Sequence, residues 1–186
     1  MTAVRKLVKY YVRPILNNSK NKDSLCLGSS KLYFDKIELS CSVDHFGERA
    51  EWLRSGTDWG VVENNLLTFR DLDYVTFQMN TVFSMFNYPM IGEFYQYLKD
   101  KDIVRTEAWY HSLYLAVHPS YYSAKSLPKE LKIEAAENAL KFADKFEGDK
   151  TSLSRLIRDA VNFAGEDDTW ADNKKIMLQH TASIDN

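Results

Sequence analysis

The segment Ser42-Val43-Asp44-His45-Phe46-Gly47 places three chemically useful side-chain types close together. A hydroxyl, a carboxylate and an imidazole at this spacing indicate a polar ligand site or a metal site. The alternative is a strand-to-helix turn in which Asp44 caps the following helix and Gly47 relaxes the backbone. Asp44 and His45 are adjacent and tend to point apart on a strand, so a metal ion shared by these two residues is disfavoured.

Other candidates for metal or nucleophilic chemistry form no recognisable motif. The four histidines lack HExxH-type spacing, and the sequence has no phosphate-binding glycine loop, no GxSxG and no CxxC. The two cysteines, Cys26 and Cys41, have no metal-site spacing and are expected to be free thiols. Cys41 is expected to be a small buried residue within a strand. The sequence therefore predicts no metal site on this chain.

Charge and composition exclude several classes of protein. The 186 residues include 24 Lys and Arg against 26 Asp and Glu, a formal net charge of −2, which disfavours a nucleic-acid partner. No apolar run approaches the roughly 20 residues of a membrane helix, and no signal-peptide-like stretch follows the first residues. Because 45% of the residues are hydrophobic, a buried core is expected. These features predict a cytoplasmic protein without a membrane partner.

Strand and helix patterns alternate along the chain. Strands are predicted over residues 36–44 and 74–85, and a run in which nearly every residue can be buried predicts a third over 111–117. Helices are predicted over residues 58–69, 90–98, 129–146, 152–163 and 170–180, with a short helix near 25–34 and an extended or mixed segment over 6–16. The β-α-β-α-β order indicates an α/β fold with a parallel sheet. Because the alternation gives way to helices near Pro128, the chain divides into residues 1–126 and a helical region, 127–186.

A longer part of the chain resembles a known family. Residues 37–59 are similar to the fourth-strand region of radical SAM enzymes, most of all the twitch domain-containing proteins common in phages and marine bacteria. The shared pattern is a strand ending in Ser-x-Asp, a glycine, Trp-x-Arg, Gly-x-x-Trp, and a helix with Val-x-x-Asn at 62–65. The resemblance spans roughly residues 35–135 and includes 80–87, 119–123 and 127–132. It implies an incomplete parallel βα half-barrel, part of a radical SAM partial TIM barrel, followed by C-terminal helices.

The resemblance also implies roles for four residues. Ser42 and Arg54 would lie near the carboxylate or the ribose of S-adenosylmethionine, where paired guanidinium donors suit a carboxylate. Asp44 would face the substrate as the candidate catalytic residue, and Asn80 on the next strand would complete the polar shell. The alternative for Arg54 is a surface ion pair with Glu51 or Asp58.

The family's cofactors are S-adenosylmethionine and a 4Fe-4S cluster, which is held by three cysteines usually spaced CxxxCxxC. This chain has neither that motif nor the family's Gly-Gly-Glu-Pro segment, so no cluster is expected on it. We therefore expect the C-terminal portion of a radical SAM enzyme, truncated or split, whose N-terminal half would supply the cluster and whose substrate is unknown. The alternative is a non-catalytic α/β module that binds a ligand or a partner chain.

Overall fold

Four strands form one sheet in the computed structural model, which describes residues 11–14, 37–103, 111–145 and 152–184. The strands lie side by side in chain order: β1 (Tyr11–Pro14), β2 (Ile37–Ser42), β3 (Val75–Phe83) and β4 (His111–Leu115). β2, β3 and β4 are parallel, as the alternating pattern predicts, and Ser42 lies opposite Asn80. β1 runs antiparallel to β2, so the described sheet is mixed rather than wholly parallel.

Helices connect the parallel strands and follow them. They are α1 (Gly47–Leu53), α2 (Trp59–Arg70), α3 (Ile91–Asp100), α4 (Lys129–Asp144), α5 (Ser152–Gly165) and α6 (Trp170–Ile184). The helix predictions over 58–69, 90–98, 129–146, 152–163 and 170–180 are confirmed to within a few residues. The predicted helix near 25–34 lies outside the described residues, and the predicted boundary between 126 and 127 stays a prediction.

One face of the sheet forms the core. Ile37, Leu39 and Cys41 of β2 are buried at alternate positions, and Met79, Thr81 and Phe83 of β3 are buried at the same period. They pack against apolar residues of the helices, among them Leu66, Phe94, Ala139 and Ile157. The prediction of a buried Cys41 is confirmed. Because successive side chains of a strand point to opposite faces, the residues between these buried ones point to the other side.

That other face is polar. It carries five half-buried polar residues: Ser40 and Ser42 of β2, Gln78 and Asn80 of β3, and Ser112 of β4. The Asn80 amide donates to Ser40 Oγ at 2.5 Å, and the Gln78 amide donates to Ser112 Oγ at 3.0 Å. Serine and amide side chains thus bridge neighbouring strands across this face.

The prediction that β4 is buried on both sides is wrong. His111 is buried, but Tyr114 and Leu115 are 55% and 39% exposed. β4 is the last strand of the described sheet, so its carboxyl end has one neighbouring strand only. Within the described ranges, no helix has both the length and the apolar character needed to cross a membrane.

Candidate functional site

The connection between β2 and α1 brings the segment singled out above to the carboxyl end of the sheet. Gly47 opens α1 with a φ of +60°, so its predicted role of relaxing the backbone is confirmed. The N-cap residue is Phe46, and no side chain caps this helix. Asp44 Oδ1 instead accepts a hydrogen bond of 2.8 Å from the backbone N–H of Val82 in β3. The prediction that Asp44 caps the helix is therefore wrong.

Ser42, Asp44 and Arg54 form a cluster at this strand end. Arg54 Nε donates to Asp44 Oδ2 at 2.9 Å, and Arg54 Nη2 lies 2.8 Å from the same oxygen. Arg54 Nη2 also donates to Ser42 Oγ at 2.8 Å. The short helix α1 reverses the chain and returns Arg54 to the strand that precedes it. The Arg54 side chain is 32% exposed and that of Asp44 is 14% exposed, so the guanidinium is partly accessible to a ligand.

The alternative ion pairs for Arg54 are wrong. Glu51 Oε1 accepts from the backbone N–H of Trp59 at 2.9 Å, and Asp58 Oδ1 accepts from the N–H of Val61 at 3.1 Å. Both carboxylates thus act at the start of α2, where unsatisfied N–H groups need acceptors.

Asn80 lies opposite Ser42 on the same face, but its amide is directed at Ser40 rather than at the cluster. Asn80 Oδ1 is buried and has no hydrogen-bond partner among the described residues. The structure therefore brings three of the four predicted residues together and places the fourth beside them.

Asn87 is a positioning residue that the sequence reasoning missed. It is completely buried, and its Nδ2 donates to the carbonyl oxygens of Asp44 at 3.0 Å and Val82 at 2.7 Å. Its Oδ1 accepts from the backbone N–H of Ser84 at 2.8 Å. One side chain thus joins the loop after β2 to the turn after β3. An asparagine just before Tyr88-Pro89 was the available signal, since asparagine favours turns.

The space next to the cluster is small. A cavity of about 10 Å³ is lined by residues that include Ser42, Asp44, Arg54 and Thr57. Thr57 Oγ1 is buried there without a hydrogen-bond partner among the described residues. This volume holds about one water molecule. A larger ligand would have to contact the exposed side of the cluster.

Aromatic rings extend along the same end of the sheet. Trp52 of α1 packs edge-on to Phe86, whose ring also makes an edge contact with Tyr122. The Tyr122 hydroxyl lies 3.0 Å from His180 Nδ1 of α6. Trp52 is 41% exposed. Apolar ring surface therefore lies at the same end of the sheet as the polar cluster, a combination common in small-molecule sites.

The donor groups of the described residues do not fit a metal or a cluster. His45 is buried against the rings of Phe46 and Phe94, away from the ion pair of its neighbour Asp44, and burial lowers the pKa of its imidazole. Cys41 is a buried free thiol whose pKa is raised by burial, the opposite of what a thiolate ligand needs. The described ranges contain no group of three His, Cys, Asp or Glu residues that could hold a metal ion.

Comparisons with protein-family models, with curated proteins and with solved structures gave no match to this chain. The radical SAM resemblance therefore stays a prediction based on the residues quoted for it. The assignment of function depends on the geometry at the carboxyl end of the sheet.

Proposed function

We propose that this chain is the carboxyl-terminal part of a radical SAM-like protein that binds a nucleoside at the Ser42–Asp44–Arg54 cluster. Two features of the fold support this. The parallel strands β2, β3 and β4 are adjacent in chain order, the order expected of consecutive strands in a βα barrel. Helices pack on one face of the sheet, while the other is polar, as the inner face of a ligand-binding half-barrel would be.

The ion pair favours the ribose of S-adenosylmethionine over its carboxylate as the bound group. Asp44 already neutralises Arg54, so a second carboxylate would meet little net positive charge. Arg54 Nη1, by contrast, has no hydrogen-bond partner among the described residues, and the Asp44 oxygens have lone pairs left. A pair of hydroxyls can accept from the guanidinium and donate to the carboxylate. The unused Nη1 donors of Arg54 beside the accepting oxygens of Asp44 are the observation that carries the proposal.

The parent activity would be reductive cleavage of S-adenosylmethionine to a radical, followed by hydrogen abstraction from a substrate. That chemistry needs a 4Fe-4S cluster, and the cysteines of this chain do not fit one. We assign no step of the reaction to this chain. The cluster ligands would come from an N-terminal half, and Asp44 would face the substrate in the combined protein.

The second candidate is a non-catalytic module that binds a ligand or a partner chain. The cavity of about 10 Å³ favours it, because the cluster makes its own closed network without any ligand. Under this alternative, the Arg54–Asp44 pair stabilises the loop after β2, and binding occurs elsewhere.

Titration calorimetry with adenosine and with S-adenosylmethionine distinguishes the two. We expect weak binding of both ligands, with a Kd on the order of 1 mM. Arg54→Ala should weaken it about tenfold, the effect of losing one charge-assisted contact. Arg70→Ala is the matched control, since Arg70 also pairs with a carboxylate, that of Asp71, but precedes the opposite, amino end of β3.

Equal affinities for the unaltered chain and the Arg54→Ala variant would exclude the nucleoside site. If binding behaves as expected, an N-terminal half that carries CxxxCxxC is added under anaerobic, reducing conditions. Release of methionine from S-adenosylmethionine would support the enzyme, and ligand binding without release would support the non-catalytic module.

A further inference from the structure

A second site lies away from the carboxyl end of the sheet, in the cleft between α4 and α5. The cleft has a volume of about 680 Å³, which is within the range of small-molecule sites. On α4 it is lined by Lys129, Lys132, Ile133 and Ala136, which share one helix face. On the opposite side it is lined by Val161, Asn162 and Gly165 of α5 and by the acidic segment Glu166–Asp168.

The cleft has a basic pole, the lysines of α4, and an acidic pole, the segment after α5, which Lys132 contacts through the backbone oxygen of Asp167. Lys129 and Lys132 stand in the first turn of α4, where the helix dipole disfavours a cation. The acidic segment follows the last turn of α5, where the dipole disfavours an anion. Glu130 in the same turn of α4, and the start of α6 directly after the acidic segment, offset part of this cost, since the dipole favours an anion at both places.

Part of this charge is already neutralised. Lys125 donates to Glu166 Oε2 and to Asp167 Oδ2, both at 2.8 Å. Lys132 donates to the backbone oxygens of Lys125 and Asp167, which leaves one ammonium proton without a described partner.

Lys129 and Asp168 form no ion pair within the described ranges, and Lys132 is close enough to Asp168 to interact with it electrostatically. Lys129 has no ionic partner within the described ranges. Asp168 Oδ1 accepts only a backbone bond, from Trp170 at 3.2 Å. A ligand in the cleft can therefore reach the ammonium group of Lys129 or Lys132 and the carboxylate of Asp168.

The acidic side is held in place by buried hydrogen bonds. Thr169 follows the acidic segment, and its hydroxyl oxygen lies 2.8 Å from Ser126 Oγ. The backbone N–H of Thr169 donates to the backbone oxygen of Lys125 at 3.3 Å. Asn173 also donates to Ser126 Oγ, at 2.8 Å. These bonds fix the acidic segment relative to the start of α4, so the two poles are positioned before any ligand binds.

Apolar surface lies beside the charged groups of the cleft. Ile133 is 54% exposed although it lines the cleft, and Ala136 and Val161 lie nearby. A side chain added at Gly165 would meet no atom within 4 Å, so the cleft is open at this position. An apolar group of a ligand would bury the exposed part of Ile133 favourably.

We propose that this cleft binds a free α-amino acid with an apolar side chain. The carboxylate of the amino acid would pair with Lys129 and with the remaining Lys132 proton, and its ammonium group with Asp168. Its side chain would lie on Ile133 and Val161. This site is independent of the nucleoside site, and its test does not use that ligand.

Calorimetric titration of the full chain with L-leucine tests the proposal, and ¹⁵N–¹H correlation spectra locate the binding. Saturable binding is expected, with a Kd on the order of 1 mM. Two analogues serve as probes: 4-methylpentanoate lacks the ammonium group, and 3-methylbutylamine lacks the carboxylate. Each should bind about tenfold more weakly, because one charged pole loses its partner.

Three variants identify the cleft residues. Lys129→Gln and Asp168→Asn should each weaken L-leucine binding about five- to tenfold, and the new amide oxygen at 168 can still accept from Trp170. Gly165→Leu should weaken binding about tenfold or more, because the new side chain would occupy part of the cleft. The matched control is Lys141→Gln, an exposed charge further along α4, which should leave the Kd unchanged.

Circular dichroism and urea unfolding confirm that each variant is folded. Absence of saturable L-leucine binding would overturn the proposal. So would equal affinity for either singly charged analogue, or unchanged binding in the folded Gly165→Leu variant.

Discussion

Replacing Asn87 with alanine should destabilise the chain strongly, although Asn87 belongs to no apolar cluster. The completely buried amide serves three backbone groups: the carbonyls of Asp44 and Val82 and the N–H of Ser84. Alanine leaves all three without this partner. A lost hydrogen bond costs about 1 kcal/mol, and more when the remaining group stays buried, so the free energy of unfolding should fall by about 3–4 kcal/mol. Since single domains are stable by about 5–15 kcal/mol, this is a large fraction of the total.

Urea unfolding monitored by tryptophan fluorescence measures this loss. With a slope of about 2 kcal/mol per molar urea, the unfolding midpoint should fall by roughly 1.5–2 M. Asn64→Ala is the matched control, because Asn64 is exposed on α2 and only its backbone oxygen accepts a bond, from Thr68. Its stability should change by no more than about 0.5 kcal/mol. If Asn87→Ala costs less than about 1 kcal/mol, the claim that this amide joins the two strand-end loops is refuted.

Four further predictions follow from burial, packing and cysteine content. Burial lowers the pKa of His111 to about 4 from an unfolded value near 6.5. Neutral His111 therefore contributes up to about 3 kcal/mol to the free energy of unfolding above pH 6.5, and this contribution is lost as the pH falls toward 4. Urea titrations at several pH values should show that the free energy of unfolding depends less on pH in His111→Gln than in the control His118→Gln. Equal pH dependence of the two variants would contradict this. Gly92→Ala should lower the free energy of unfolding by about 1–3 kcal/mol in the same assay, because the new Cβ would lie 2.8 Å from Phe142 Cβ. An unchanged urea midpoint would show that α3 and α4 separate easily. In a chain whose other cysteine is replaced by serine, Cys41 should resist iodoacetamide until urea unfolds the protein, because the thiol is buried and its pKa is raised. Rapid labelling of the folded chain would disprove the burial. Anaerobic reconstitution with iron and sulfide should give no 4Fe-4S absorption or electron paramagnetic resonance signal, and stoichiometric incorporation would refute the view that the cysteines do not fit a cluster.

Much of the candidate site could be predicted from neighbouring residues alone. The alternating pattern in β2 identified both the strand and its buried positions, because successive side chains of a strand point to opposite faces. The end of that strand then located Ser42 and Asp44 at the carboxyl edge. The role of Asn87 could not be predicted, since its partner Asp44 lies 43 residues away in the chain.

By itself, the sequence determined the α/β class, the parallel order of β2, β3 and β4, and most helix bounds, since these follow from local periodicity and turn residues. Tertiary structure decided the partners of each charge. Arg54 could have paired with Glu51 or Asp58, and the reversal of the chain through α1 brought it to Asp44 instead. Packing also exposed the end of β4 and opened the cleft between α4 and α5. The physical reason is that strands and helices form from interactions within a few residues, whereas a salt bridge or a cleft depends on where separate segments meet.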